Sequence, residues 1–172
     1  NPEEIENNLT FVGLLGLKES VRSEAFNDVK MCNKANIKTV MLTGDNLYTA
    51  KAVATELGLL TDDSQAITGA ELDNMTDEEL AENIEKYCVF ARVSPEHKLR
   101  IARAWQSKKA IVTITGNGLN DAEALACADV GCAMGQYGAD VAKGNADIII
   151  LKNSFNSLVS TIKESRGFLA NI

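Results

Sequence analysis

The chain predicts an α/β fold, a three-layer sandwich in which a mostly parallel sheet is covered by helices on both faces. Two observations carry this. Short apolar strands alternate with stretches of helical spacing along nearly the whole length. Two of those strands, Lys38 to Leu42 and Ala110 to Ile114, also run into nearly the same residues, Thr43-Gly44-Asp45 and Thr115-Gly116-Asn117-Gly118, and a helix-like stretch follows each. Small residues and side-chain oxygens at the carboxyl ends of buried strands mark the crevice where an open parallel sheet binds its ligand.

Leu9 to Leu17 is apolar, glycine-interrupted and expected as a strand. Val21 to Ala35 carries Val21, Ala25, Val29 and Cys32 at helical spacing. Thr39 to Leu42 is a short apolar strand. Ala50, Val53, Ala54 and Leu57 mark a helix that Gly58 should terminate. Thr61 to Asn74 is acidic and turn-rich, with a short strand at Ala66 to Thr68. Thr76-Asp77-Glu78-Glu79 is a capping box, so a helix should run to about Lys86.

Cys88 to Val93 is a strand. Ser94-Pro95-Glu96 supplies an N-cap, a proline at the first helical position and an acid in the first turn. The helix that follows carries Leu99, Ile101, Ala102 and Trp105. Ile111 to Ile114 is a strand and Asn120 to Ala128 a short alanine-rich helix. Val130 to Met134 and Ile148 to Leu151 are the last strands. Ser154 to Ala170 closes as a helix with Leu158, Ile162 and Phe168 on related faces. Wholly apolar strands such as Ile148 to Leu151 are expected to be buried on both faces.

At 172 residues the chain is expected to form a single domain, 1–172, or one large piece of one. It begins at Asn1-Pro2 without methionine and reaches Ile172 inside an apparent helix, so it reads as a piece of something longer. A net charge of −7 argues against a nucleic-acid or anionic-membrane partner. No apolar run approaches the ~20 residues a membrane span needs. The four cysteines, Cys32, Cys88, Cys127 and Cys132, form no CxxC, and His97 is the single histidine. Reduced, buried thiols are expected rather than a zinc site.

Glycines after Thr43 and Thr115 let backbone amides approach an anion, and helix N-termini behind them favour negative charge. Carboxylates beside them point to a hard cation. Phosphate with Mg2+ uses all of these features.

The motifs Met41-Leu42-Thr43-Gly44-Asp45, Val89-Phe90-Ala91-Arg92-Val93-Ser94-Pro95-Glu96-His97-Lys98 and Thr115-Gly116-Asn117-Gly118-Leu119-Asn120-Asp121-Ala122 stand in this order. Gly131-Cys132-Ala133-Met134-Gly135, Asp140-Val141-Ala142-Lys143 and Ala146-Asp147 follow. Together, from about Leu9 to Arg166, they resemble the phosphorylation domain of P-type cation-transporting ATPases, in the branch that contains calcium pumps. The resemblance implies a haloacid dehalogenase-like fold with a Rossmann-like sheet. It implies phosphoryl transfer from ATP to an aspartate, then hydrolysis, with Mg2+ and ATP as cofactors.

By the same resemblance, Thr43 and Gly44 hold phosphoryl oxygens and Asp45 orients nucleotide or loop. Lys98 neutralises the phosphoryl group, Gly116 and Gly118 are site glycines and Asn120 stands with the catalytic set. Asn117 and Asp121 face the metal. Gly135 and Gly138 read as turn glycines, and His97 as a helix-surface or first-turn residue rather than a base. Asparagine at 117 departs from the family's acidic pair; a neutral amide can ligate Mg2+ but lacks the charge that offsets its desolvation. Leu119 and Glu123 depart too, as does Lys18-Glu19-Ser20 where Asp-Pro-Pro is expected.

The family's nucleophile lies in an Asp-Lys-Thr-Gly-Thr run, which these 172 residues lack. In the family that strand lies between those ending at Thr43 and Asn117. The sheet is therefore expected to lack its central nucleophile strand, and the gap to be covered by rearrangement, a partner strand or a neighbouring molecule. The chain alone is expected to be inactive. ATP and a transported cation would be engaged through further segments of its own chain, with this part soluble on the cytosolic side of an integral membrane protein. Two other readings stand beside this one. One is a degenerate, non-catalytic phosphate-binding regulatory module of the same fold; the other is a soluble phosphatase.

Overall fold

The computed structural model describes residues 9–16, 20–135, 138–152 and 154–169. Asn1, Pro2, Leu17, Lys18, Glu19, Ala170 and Ile172, on which some expectations above rest, lie outside them. Strands β1 (Met41–Thr43), β2 (Ala66–Thr68) and β3 (Val89–Ala91) form one parallel sheet in the order β1-β3-β2. Strands β4 (Thr113–Gly116), β5 (Val130–Met134) and β6 (Ile148–Ile150) form a second, in the order β4-β5-β6. The helices are α1 (Ser23–Lys34), α2 (Leu47–Glu56), α3 (Gly69–Asp73), α4 (Asp77–Asn83), α5 (Pro95–Ser107), α6 (Ala122–Cys127), α7 (Asp140–Gly144) and α8 (Phe155–Leu169).

Alternation of side chains along each strand feeds two cores. In the first sheet Val89 and Ala91 pack with Ala50 and Ala54 of α2. Ile67 and Phe90 face the other way, onto Leu72, Leu80, Ile101 and Ala104. In the second sheet Ile114 and Ala133 meet Leu125 of α6 and Ala102 of α5, whereas Cys132 and Ile150 meet Leu158 of α8. Helices thus cover both faces, as a three-layer sandwich requires. Helix α5 serves both sheets, since Ile101 and Ala104 lie in one cluster and Ala102 in another.

Among the described strands, β1 pairs only with β3 and β4 only with β5, so no ladder joins the sheets. This is where the missing central strand was expected.

The local signals explain most helix ends. Ser94 caps α5, Thr76 and Glu79 form a capping box on α4, and Gly58 follows α2 with φ 71°, a conformation open chiefly to glycine. Three of the cysteines are buried, and all four are free.

Several expectations are corrected. Residues 9–16 form no strand; Val12 and Leu14 are more than nine-tenths exposed, because a strand needs a ladder partner and none is described. The strand expected at Ile111 to Ile114 begins at Thr113, leaving Ile111 in solvent. The strand β6 lies at a sheet edge, so Ile148 and Ile149 are exposed rather than covered on both faces. Phe168 faces solvent while Leu158 of the same helix is buried. The turn-rich stretch before Asn74 contains α3, capped by Thr68 and Glu71.

Candidate functional site

The carboxyl end of β1 turns sharply. The Thr43 hydroxyl donates to Asp45 Oδ2 at 3.0 Å and accepts the Asp45 N–H at 3.1 Å. Asn46 then caps α2 by accepting the Thr49 N–H at 2.9 Å. A Cβ on Gly44 would meet nothing within 4 Å, so packing does not demand glycine there. The carbonyls of Thr43 and Asp45 accept N–H bonds from Val93 (3.1 Å) and Arg92 (3.0 Å). The turn leaving β3 therefore hangs on the turn leaving β1, and it carries the start of α5.

From the first turn of α5, Lys98 Nζ donates to Asp121 Oδ1 at 2.6 Å. Both side chains are largely buried, at 19% and 14% exposure. Asp121 lies in the one-turn 3-10 segment Leu119–Asp121 that follows β4. Its other oxygen accepts the N–H groups of Asn117 (3.0 Å) and Gly118 (3.1 Å). Burial pushes the Asp121 carboxyl up, but the Lys98 hydrogen bond, the two backbone donors and the Lys98 charge together outweigh it and hold the group below the usual carboxylate range. Gly116 is required by close approach: a Cβ there would sit 2.4 Å from Asp121 Cβ.

The structure brings Lys98, Asp121, Gly116 and the backbone of Asn117 into one cluster. Thr43, Gly44 and Asp45 join it through the backbone of Arg92 and Val93, not through a side-chain bond to Lys98 or Asp121. The side chains of Asn117 and Asn120 face solvent. As a donor set for Mg2+, the cluster offers the Asp121 carboxylate, with the exposed Asn117 amide carried on the adjoining backbone. That fits an ion that keeps most of its octahedral positions for water and phosphate oxygens. No group of three or more His, Cys, Asp or Glu that could hold a metal occurs among the described residues.

Some site-supporting residues were missed in the sequence. Gly138 is more than a turn glycine: a Cβ there would lie 2.0 Å from the Met134 carbonyl, and Ala139 N–H next to it donates to Asn117 O at 2.9 Å. Asp147 accepts the Gly131 N–H at 2.8 Å and so ties the ends of β5 and β6. His97, expected as a helix-surface or first-turn residue, stands in the first turn of α5 but is buried and bonded to Asp73. Its first-turn position was legible; its burial depends on a partner 24 residues away.

A family profile described as haloacid dehalogenase-like hydrolase matches residues 3–129. The chain is 48% identical over 170 residues to calcium-transporting ATPase 1 of Bacillus cereus, covering 99% of this chain and 19% of that protein. It is 41% identical over 164 residues to the human calcium-transporting ATPase type 2C member 2, covering 95% of this chain and 17% of that one. Among solved structures, the catalytic domain of the CPx-ATPase CopB-B aligns with a TM-score of 0.61 at 28% identity, over 80% of this chain and 44% of that one. The chain thus spans about a fifth of the length of the curated relatives it matches.

Proposed function

This chain belongs to the haloacid dehalogenase-like hydrolase family, and on that premise we propose that it is the part of a P-type cation pump that holds an aspartyl-phosphate during transfer and hydrolysis. The observation that carries the reading is the Lys98–Asp121 pair, held by backbone donors beside the carboxyl end of β4. Similarity along almost its whole length, at 48% identity, to a segment of a calcium-transporting ATPase supports it.

In this reading Lys98 supplies the positive charge that meets phosphoryl oxygens, and Asp121 holds the ammonium in place until they arrive. The Thr43 hydroxyl turns from Asp45 to an incoming oxygen, and the Gly44 N–H donates beside it. Asp45 steadies the turn, and Asn120 presents its amide at the rim. Mg2+, when bound at Asp121 and Asn117, would neutralise phosphoryl charge. Phosphoryl transfer rests on such positioning and charge balance rather than on covalent work by the protein.

The nucleophile, the ATP-binding segment and the cation path would lie elsewhere in a longer protein, with this part cytosolic. No helix among the described residues is long and apolar enough to cross a membrane. The chain alone should therefore not form an acyl-phosphate. The test is labelling with γ-labelled ATP and Mg2+, followed by acid quench. The longer protein should give a hydroxylamine-sensitive phosphoenzyme that Lys98→Ala abolishes, and the 172-residue chain should give none. Undiminished label in the Lys98→Ala protein would refute the assignment.

One observation favours a second reading, a non-catalytic phosphate-binding module. Asn117 leaves a single carboxylate in the cluster, already engaged by three donors. A longer protein that binds inorganic phosphate but forms no phosphoenzyme would support it.

A further inference from the structure

The chain's single histidine precedes Lys98, and it is locked on three sides. His97 Nδ1 accepts the Ser94 N–H at 3.0 Å, so that nitrogen carries no proton. The proton is on Nε2, which donates to Asp73 Oδ1 at 2.8 Å. The third wall is Gly69, where a Cβ would lie 2.8 Å from ring atoms Cε1 and Nδ1 and 2.4 Å from the Arg92 carbonyl. The ring therefore ties both ends of α3 to the turn that hangs on Thr43 and Asp45.

We propose that His97 is a positioning residue: locked by Asp73 and Gly69, it fixes the rotation of the first turn of α5 and so holds the Lys98 ammonium on Asp121. The inference rests on the reading of Lys98 given above. Successive helical side chains point ~100° apart. A ring fixed toward Asp73 thus dictates the direction in which Lys98 leaves the helix, toward Asp121. The first turn has no preceding carbonyls to anchor it, so it depends on such outside contacts. A lysine stem is flexible, and a fixed root limits where its ammonium can go. Capping alone does not require histidine, because glutamine at this position can also accept the N-cap N–H. The ring adds the reach to Asp73.

The experiment is competitive amine labelling of the 172-residue chain with limiting acylating reagent. Lys98 is quantified by mass spectrometry against the exposed Lys108 as internal reference. His97→Gln keeps the cap and loses the Asp73 bond. Asp73→Ala removes the acceptor from a residue whose side chain is 66% exposed, so it tests the idea even if the histidine variant does not fold. Asp73→Asn keeps an acceptor. Lys98 should label more slowly than Lys108 in the native chain. Its relative rate should rise at least about threefold in His97→Gln and Asp73→Ala as the charge-assisted bond loosens, and stay near native in Asp73→Asn.

A merely structural role would lower the urea midpoint while leaving native-state labelling of Lys98 unchanged in both variants. That result would overturn the proposal. The readout needs no phosphoryl ligand. Failure here therefore leaves the phosphoenzyme test standing, and failure there leaves this labelling pattern intact.

Discussion

Replacing Lys98 by methionine removes one charge and keeps most of the stem. Severing a fully buried ion pair costs about 3–5 kcal/mol. Here the two side chains retain 19% and 14% exposure, and Asp121 keeps two N–H donors. We therefore expect a deficit of about 2–3 kcal/mol at pH 7. Its pH dependence is the sharper signature. In the native chain burial raises the Asp121 carboxyl, but Lys98 and the backbone donors win and depress it. A depressed carboxyl contributes stability above its unfolded pKa, about 3.9, that is lost as pH falls through the folded value. Without Lys98, burial is opposed by the backbone donors alone and the group rises. The variant thus has less to lose in acid, and its deficit should shrink progressively as pH falls below about 3.9 and through the depressed folded value. Urea unfolding of both chains at several pH values measures this, with the slope m checked for constancy. A deficit that does not change with pH, or one below about 0.5 kcal/mol as for a solvated surface pair, would refute the reasoning.

Gly69→Ala should destabilise by about 1–3 kcal/mol in the same unfolding assay, because its Cβ has no room between the Arg92 carbonyl and the His97 ring. Thr76→Ala should cost about 1 kcal/mol, since the threonine hydroxyl accepts the Glu79 N–H at 3.1 Å and closes a capping box. Asn117→Asp in the longer protein should tighten Mg2+-dependent binding of a phosphate analogue by about 1–3 kcal/mol and weaken metal-free binding. Calorimetric titration with and without Mg2+ checks it, and equal affinities in both versions would mean that residue 117 does not face the metal.

Much of the fold was legible where a local signal sets a boundary. The strand Ala66 to Thr68 and the strand Val130 to Met134 appear with the expected limits. The caps at Ser94 and Thr76 and the stop at Gly58 act through contacts within a few residues, which periodicity and turn chemistry record. What failed depends on distant partners. The apolar run 9–16 has the composition of a strand, but composition cannot supply a ladder. Ile148 to Leu151 looks doubly buried until the strand order puts β6 at an edge. The five-residue helix α3 is too short for a periodic signal, although its Thr68–Glu71 capping box could have marked it. At the site, the motifs named Lys98 and Asp121 separately. Their direct bond spans 23 residues and crosses between the two sheets' connecting elements, so only the fold discloses it.

That bond also bears on what Asn117 does. Lys98 and Asp121 together carry no net charge, and the other groups bonded to Asp121 are neutral N–H donors. On the proposed function, an arriving phosphoryl group would therefore meet a balanced pair rather than an excess of carboxylate. The ammonium has three donors and can engage a phosphoryl oxygen while keeping Asp121. A second carboxylate at 117 would add a negative charge beside this pair, and a divalent ion would then offset its repulsion of the phosphoryl group. Asparagine removes that repulsion and with it part of the attraction for the ion. On the proposed function, asparagine at 117 would thus shift the cluster from one in which metal and phosphate must arrive together toward one in which Lys98 alone could receive the phosphate.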